Sequence, residues 1–141
     1  MSVQVRLLAA HEAEVLSHVA AGVFDHAVDP HWCAAFLADP RHQLVVALDG
    51  DVVVGMASGV HYLHPDKPDE LFISEAAVAE PYRSQGIGRS MLGALLAQAR
   101  TLGCETAWVL TESDNEAARR MYAAAGGVEQ PDAPVMIEFR P

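Results

Sequence analysis

The sequence predicts one mixed α/β or α+β domain, and three observations favour this fold class. Strand-like and helix-like patterns alternate along the 141 residues. Asp49-Gly50 joins two β-rich runs, which is a short-range hairpin signal and indicates antiparallel pairing. A glycine-containing loop at residues 83–92 lies between a predicted strand and a predicted helix, as in a βαβ unit. The length suits a single domain over residues 1–141 with one core.

The first half of the chain is expected to form a strand, two helices and a hairpin. Residues 3–9 predict the strand. Residues 11–27 predict a helix because valines recur every four residues. Residues 29–40 predict a second helix, in which Asp29 is the N-cap and proline follows at the first helical position. Residues 42–64 predict the hairpin.

The second half is expected to continue as a loop, a strand, a helix, a strand, a helix and a strand. Proline and charge mark the loop, and the strand after it is largely apolar and therefore expected to be central. The first of these helices has one continuous apolar face. The loop is expected at 64–70, the strands at 70–79, 105–111 and 133–139, and the helices at 86–103 and 115–125.

Charge and cysteine content narrow the class of protein. Nineteen acidic residues against nine basic ones give a formal charge of −10, which disfavours nucleic acid and anionic lipid as partners and favours cationic ones. Cys33 and Cys104 have neither disulfide-scaffold nor zinc-ligand spacing, so no metal is expected. The absence of a signal-type hydrophobic block or a membrane-length apolar run indicates a cytoplasmic protein.

Two glycines stand where the amphipathic helix begins. Glycine in a helix costs about 1 kcal/mol relative to alanine, so Gly86 and Gly88 indicate an anion approaching the main-chain amides at the helix N-terminus. Arg83 and Arg89 can add charge, and Ser90 can donate its hydroxyl. The expected occupant is a diphosphate, and a structural turn without a ligand is the alternative. The spacing matches neither GxGxxG nor GxxxxGK[ST].

Residues 78–127 resemble the acetyl-coenzyme A (acetyl-CoA) binding core of the GNAT superfamily of acyltransferases. In that family an [RQ]xxGx[GA] segment after the fourth strand holds the pyrophosphate, and "RSQGIG" (83–88) fills it. "NEAARRMY" (115–122) supplies the asparagine, small residues and tyrosine of the next helix. The resemblance implies a mostly antiparallel sheet of six to seven strands flanked by four helices. Gly126-Gly127 departs from the usual Gly-Phe or Gly-Tyr.

The resemblance implies acetyl-CoA as the acyl donor and assigns residues to it. The strand before the loop is expected to splay from its neighbour and offer its backbone to the pantetheine arm, with the Val78 amide as a candidate oxyanion donor. Asn115 is expected to touch the pantetheine arm, or alternatively to cap its helix. The complete set of cofactor-binding residues is Ala77, Val78, Arg83, Ser84, Gln85, Gly86, Ile87, Gly88, Arg89, Ser90, Asn115 and Ala118.

Two residues are expected to be catalytic. The resemblance implies Tyr122 as the general acid near sulfur, and a core position is the alternative. Glu75 lies within an apolar strand, where burial makes a carboxylate a stronger base. It is therefore expected to act as general base, directly or through a water. The alternatives are an edge glutamate facing solvent, or one bridged to Arg83 or a histidine.

The sequence also looks like the aminoglycoside 3-N-acetyltransferase branch, which implies a small cationic amine acceptor and a role in antibiotic resistance. The acceptor loops are expected at 26–31 and 61–70, with His61 and His64 near the second. Alternatives are a peptide N-terminus, lysine or metabolite amine as acceptor, or a non-catalytic acyl-CoA-binding sensor. The strand 133–139 could pair two copies in a homodimer. The acids that suit a cationic acceptor are Asp66, Asp69, Glu70, Glu75, Glu112 and Asp114.

Overall fold

Five strands form one mixed sheet in the computed structural model, which describes residues 2–141. The strands lie in chain order across the sheet, and only the last pair is parallel. They are β1 (Gln4–Leu7), β2 (His42–Asp49), β3 (Val52–Tyr62), β4 (Glu70–Val78) and β5 (Thr106–Trp108). The α-helices are α1 (Pro30–Ala38), α2 (Ile87–Thr101) and α3 (Glu116–Ala124), and short 3-10 helices span Ala13–Ser17 and Glu80–Tyr82.

The core lies between the sheet and α2. Strand β2 has six consecutive buried residues, which is the pattern of a strand covered on both faces. Met91, Leu92 and Leu95 of α2 are fully buried against the sheet. A Cβ at Gly55 in β3 would lie 3.1 Å from the Met91 Sδ, so the missing side chain lets α2 approach the sheet closely. This packing fixes the N-terminus of α2 relative to the end of β4.

A β-bulge in β4 decides which side chains face α2. Ser58 of β3 pairs with Glu75. The adjacent Gly59 pairs with Ile73, which leaves Ser74 as an extra residue. One inserted residue moves every later side chain to the opposite face of the sheet. Ile73 therefore faces α2, whereas Glu75 faces away from it, and a 2.9 Å hydrogen bond between the Ser74 and Ser58 hydroxyls holds the bulge.

Strands β4 and β5 separate before β4 ends. Their parallel pairing covers only Glu70 to Phe72 on β4. Within the described part of the chain, no strand pairs with the outer edge of β4 after Phe72. The Ala79 N–H donates to the Val54 oxygen at 2.8 Å, so the N–H of the preceding Val78 points the other way, toward this open edge. The splay expected from the sequence is therefore present.

The predicted helix over 11–27 is wrong. Only Ala13–Ser17 is helical, as a 3-10 turn. The chain then runs beside β3, where the Val53 N–H donates to the His18 oxygen at 2.8 Å and the Ala20 N–H donates to the Val53 oxygen at 2.9 Å. Pairing with a sheet edge has overridden the helical spacing of the valines, which are β-branched and suit an extended chain.

The predicted strand over 133–139 is also wrong. Residues 125–141 contain no helix or strand, so the structure has five strands and three α-helices rather than six to seven strands and four helices. An extended apolar segment becomes a strand only where a neighbouring edge accepts its hydrogen bonds. Five apolar side chains at this end are each at least 72% exposed: Val128, Val135, Met136, Ile137 and Phe139.

Both cysteines are free thiols, Cys104 buried and Cys33 half-buried. Burial raises the pKa of Cys33 and of Cys104, so neither favours the thiolate form that a nucleophile needs. Among residues 2–141, no cluster of three or more His, Cys, Asp or Glu side chains is arranged to hold a metal ion. No helix in this range is long and apolar enough to cross a bilayer.

Candidate active site

The glycine loop has the backbone geometry of an anion cradle. Ser84 and Gly86 both adopt left-handed φ angles, +62° and +80°. For a non-glycine residue such as Ser84 this conformation costs about 1–2 kcal/mol, and strain of this kind is concentrated at binding sites. Alternating left-handed residues turn successive N–H groups toward one concave side. No side chain caps α2 at Gly86, so the first amides of the helix are free to bind an anion.

A cleft of about 620 Å³ lies between this loop, the open edge of β4 and α3. The loop side includes buried Gly88, and the α3 side is made mostly of small residues such as Ala117 and Ala118. Ten of the twelve predicted cofactor residues line the cleft: Ala77, Val78, Arg83, Ser84, Gly86, Ile87, Gly88, Arg89, Asn115 and Ala118.

The other two predicted cofactor residues, Gln85 and Ser90, are not among the residues that line the cleft. Gln85 donates its side-chain amide to the Pro81 oxygen at 3.4 Å. The Ser90 N–H donates to the Gly86 oxygen at 3.0 Å, the first turn of α2. Both residues therefore support the loop and the helix start.

The cleft is basic in a protein that is acidic overall. Arg83, Arg89 and Arg120 line it, and they are three of the nine basic residues. No acidic residue in the described part of the chain lines it. The Arg83 Nε donates to the Val78 oxygen at 2.9 Å, which fastens the loop to the end of β4. This local positive charge suits a phosphate-bearing ligand.

Helix α3 forms the opposite wall and approaches α2 closely. The Asn115 Oδ1 accepts a hydrogen bond from the Ala118 N–H at 3.1 Å, so the capping alternative for Asn115 is present in the structure. Asn115 also lines the cleft. A Cβ at Gly88 would overlap Met121 of α3. The absence of a side chain at position 88 is therefore what allows the two helices to meet beneath the cleft.

A second, smaller pocket of about 200 Å³ opens from the end of the cleft, on the sheet face opposite α2. Ala76, Ala77, Asn115 and Ala118 line both cavities, so a ligand in one can reach a ligand in the other. The remaining lining residues of the small pocket are Gly22, Val23, Asp25, Met56, Ser74, Glu75, Thr111 and Tyr122.

Tyr122 and Glu75, the two predicted catalytic residues, lie together in the small pocket. Tyr122 is half-buried, and burial raises its pKa. Its hydroxyl therefore stays protonated at neutral pH and keeps a proton to donate. Among residues 2–141 it has no hydrogen-bond partner, which leaves the proton available to a ligand.

The predicted burial of Glu75 is wrong. Its side chain is exposed, because the bulge at Ser74 turns it away from α2 and toward the pocket. The alternative of an edge glutamate facing solvent is the one found, and no ion pair joins Glu75 to an arginine or histidine in the described part of the chain. Any role as a base rests on the position of Glu75 in the pocket and not on desolvation.

The predicted acceptor loops do not line either cavity. His61 bonds to Asp69 at 2.7 Å, and His64 lies 3.5 Å from Glu70. These pairs are at the opposite end of β4, about 16 Å from Glu75 at the usual rise per strand residue. Of the predicted acids, only Glu75 lines the small pocket. The acids that do not are Asp66, Asp69, Glu70, Glu112 and Asp114.

The sequence reasoning missed Asp25, which lines the small pocket. The segment 11–27 carries a helical spacing of valines, and as a helix it would not bring Asp25 beside β4. The only local signal is Gly22, whose φ of +84° turns the chain. A glycine within a predicted helix is a sign that the helix ends there.

The sheet, the glycine loop and the cleft described above match those of a family of enzymes. The model of the acetyltransferase (GNAT) family matches residues 8–126, which is most of the chain. The chain therefore belongs to this family, whose members use acetyl-CoA.

Curated relatives lie within the same family but differ in substrate. The chain is 35% identical over 101 residues to the N-alpha-acetyltransferase RimI of Mycobacterium tuberculosis, covering 70% of this chain and 61% of the relative. It is 32% identical over 93 residues to the L-2,4-diaminobutyric acid acetyltransferase of Nocardia farcinica, covering 66% of this chain and 45% of the relative. The chain thus spans about half the length of these relatives.

Solved structures share the fold. An aminoglycoside acetyltransferase from an uncultured soil metagenomic sample, in complex with trehalose, superposes with a TM-score of 0.83 at 16% identity, covering 98% of this chain and 97% of that one. AAC(6')-Iy in complex with the bisubstrate analogue CoA-S-monomethyl-acetylneamine gives a TM-score of 0.80 at 16% identity, covering 99% of each chain. At these identities the likeness establishes the fold.

Proposed function

We propose that the protein is an N-acetyltransferase that moves an acetyl group from acetyl-CoA to a primary amine of a small cationic acceptor. One observation carries the proposal: within residues 2–141, a cleft lined by three arginines and no acid adjoins a pocket lined by two carboxylates, Asp25 and Glu75, and no basic residue. Such a division of charge suits an anionic donor at one end and a cationic acceptor at the other. In this proposal residues 1–141 form one catalytic domain, and the protein acts in the cytoplasm.

The donor end of the site is assigned to the glycine loop and the open edge of β4. The loop amides and the first turn of α2 bind the pyrophosphate, with Arg83 and Arg89 adding charge. The backbone of Ala77 and Val78 pairs with the pantetheine arm as an added strand would. The Val78 N–H, which points toward the open edge, is the donor that stabilises charge on the thioester oxygen.

The acceptor end is assigned to Glu75 and Tyr122. An amine must be unprotonated to attack, so Glu75 accepts its proton, directly or through a water. Tyr122 donates its proton to the leaving thiolate, which is supported by its place in the pocket beside Glu75 and by the lack of another hydrogen-bond partner within residues 2–141. Acetyl-CoA supplies the activated acetyl group. The attacking nitrogen forms the new C–N bond as the C–S bond breaks, and it loses a second proton that restores Tyr122 through solvent, while the first proton leaves Glu75 for solvent. No step in this sequence uses a metal.

An aminoglycoside is the first candidate acceptor, because aminoglycosides are polycations and the pocket is acidic. Such an activity would give antibiotic resistance. The structural likeness to aminoglycoside acetyltransferases supports this choice at the level of fold. A peptide N-terminus or a metabolite diamine is the second candidate, which the curated relatives favour. A non-catalytic acyl-CoA sensor would need the cleft but not Glu75 and Tyr122.

Thiol release from acetyl-CoA tests the proposal. The purified protein is mixed with gentamicin-type aminoglycosides, short diamines, amino acids and peptides, and free CoA is followed. We expect acetyl-CoA to bind by calorimetry and at least one cationic amine to release thiol. Binding without thiol release for any amine would identify a sensor, and absence of binding would refute the donor site as well.

Replacing Glu75 with glutamine is expected to lower kcat/KM for the acceptor by about a hundredfold, since the amide cannot accept the proton. The affinity for acetyl-CoA should remain within about twofold, because Glu75 does not line the donor cleft. Steady-state kinetics with calorimetry separates the two effects. Glu112→Gln is the matched control, since Glu112 is exposed and lines neither cavity. Unchanged turnover in Glu75→Gln would remove Glu75 from the role of base.

A further inference from the structure

The small pocket carries a second carboxylate that the acetyl-transfer chemistry does not use. We propose that Asp25 binds a second ammonium group of the acceptor, so that molecules with two amines, one at Glu75 and the other at Asp25, are preferred over monoamines. This inference rests on the proposed function, since it concerns the acceptor of that same reaction.

The position of Asp25 is defined by the chain on its N-terminal side. Val23, two residues before it, is 1% exposed and packs in the core. His18 and Ala20 are hydrogen-bonded to Val53 of β3, and Gly22 makes the turn between them and Val23 with a φ of +84°. Asp25 itself is exposed, and it lines the pocket two residues after this anchored segment.

The chemistry of the pocket favours a second positive charge on the acceptor. Within residues 2–141, Asp25 has no salt-bridge or side-chain hydrogen-bond partner, and no Lys, Arg or His lines the pocket. An ammonium group entering there meets carboxylates without a competing cation from the protein. Only one of the two amines can be deprotonated at Glu75 for attack, so the other stays charged and needs a counter-ion.

The volume of the pocket limits the acceptor to a small molecule or to one end of a larger one. At about 200 Å³, it is smaller than the roughly 300–1,000 Å³ of pockets that enclose drug-sized ligands. A diamine with a short carbon chain has a size that suits it, and the half-buried Ala76, Ala77 and Tyr122 supply apolar surface in the wall. The spacing between the two amines is therefore a property that the pocket can select.

A comparison of 1,4-diaminobutane with butylamine tests the inference in the protein of residues 1–141. We expect the wild type to have a lower KM for the diamine, and Asp25→Asn to raise that KM about five- to tenfold with little change in kcat, as expected for loss of a partly solvated charged contact. For butylamine, kcat/KM should stay within about twofold. Asp51→Asn is the matched control, because Asp51 is exposed in the β2–β3 turn and lines neither cavity.

The outcomes distinguish this inference from the proposed function. No thiol release with either amine, or with any other, would overturn the proposed function itself. Thiol release with equal KM for both amines, or an equal loss for both in Asp25→Asn, would overturn only the role of Asp25. Calorimetric titration of 1,4-diaminobutane into the protein saturated with CoA gives a readout independent of turnover. Weaker binding in Asp25→Asn and unchanged binding in Asp51→Asn are expected there.

Discussion

Replacing Tyr122 with phenylalanine is expected to lower kcat by about a hundredfold or more, because it removes only the hydroxyl that protonates the leaving thiolate. The ring is retained, so the affinity for acetyl-CoA and the melting temperature should change little. Steady-state kinetics with acetyl-CoA and a cationic amine measures the effect. The raised pKa of Tyr122 further predicts that the acid remains protonated throughout the neutral and mildly alkaline range.

Tyr62→Phe is the matched control for this experiment. The Tyr62 hydroxyl donates to Glu70 at 2.9 Å and accepts from the Trp108 indole at 2.7 Å. These contacts lie at the opposite end of β4 from Glu75, so their loss should lower stability and leave kcat unchanged. A kcat in Tyr122→Phe within about threefold of the wild type would exclude Tyr122 as the acid.

Replacing Gly88 with alanine is expected to weaken acetyl-CoA binding by about 10- to 100-fold. The new Cβ would occupy the space of Met121, and overpacking of this kind costs about 1–3 kcal/mol. Met121 itself lines the cleft. If Met121 is displaced, the shape of the cleft changes. If α2 and α3 separate instead, the cleft opens. Calorimetric titration of acetyl-CoA measures the change.

Two further variants make the reason for this loss testable. Gly93 lies in the same helix, and a Cβ there would meet no atom within 4 Å. Gly93→Ala should therefore stabilise the protein, by up to about 1 kcal/mol, without affecting acetyl-CoA binding. Adding Met121→Ala to Gly88→Ala should restore part of the lost affinity, since the two sites are in contact and their effects should not add. Additive losses would show that the collision with Met121 is not the cause.

The elements that could be predicted from the sequence are those with strong local signals. The β2–β3 hairpin forms where expected, with Gly50-Asp51 as its two-residue turn because Asp49 pairs with Val52. Helix α2 begins and ends within two residues of its predicted bounds. Asp29 caps α1, accepting hydrogen bonds from the His31 and Trp32 amides at 2.9 and 3.0 Å. Each of these features depends on residues that are close together in the chain.

The features that could not be predicted depend on contacts between distant segments. The valines of 11–27 have helical spacing, but pairing with Val53 decides their conformation. The bulge at Ser74 exists only relative to β3, and periodicity within β4 alone places Glu75 on the wrong face. For the same reason Asp25 was missed, since its place in the site depends on how 18–23 docks against β3.

The residues predicted to bind the cofactor are the part of the candidate site whose placement around one cavity follows most directly from the sequence. The loop is continuous in sequence, so its motif specifies most of the geometry, and ten of the twelve residues line the cleft. The small pocket is assembled from five separate segments, around Asp25, Met56, Glu75, Thr111 and Tyr122. No single stretch of sequence carries that pattern, which explains why only Glu75 of the six predicted acids lines this pocket.

If the proposed reaction takes place here, the wall shared by the two cavities limits how a new preference for the amine could evolve. Ala76, Ala77, Asn115 and Ala118 contact both spaces, so an enlarged side chain at any of them would disturb donor and acceptor together. Variation that alters only the choice of amine is confined to the far side of the small pocket, around Gly22 to Asp25 and Thr111. Laboratory selection for new acceptors should therefore begin with libraries at those positions.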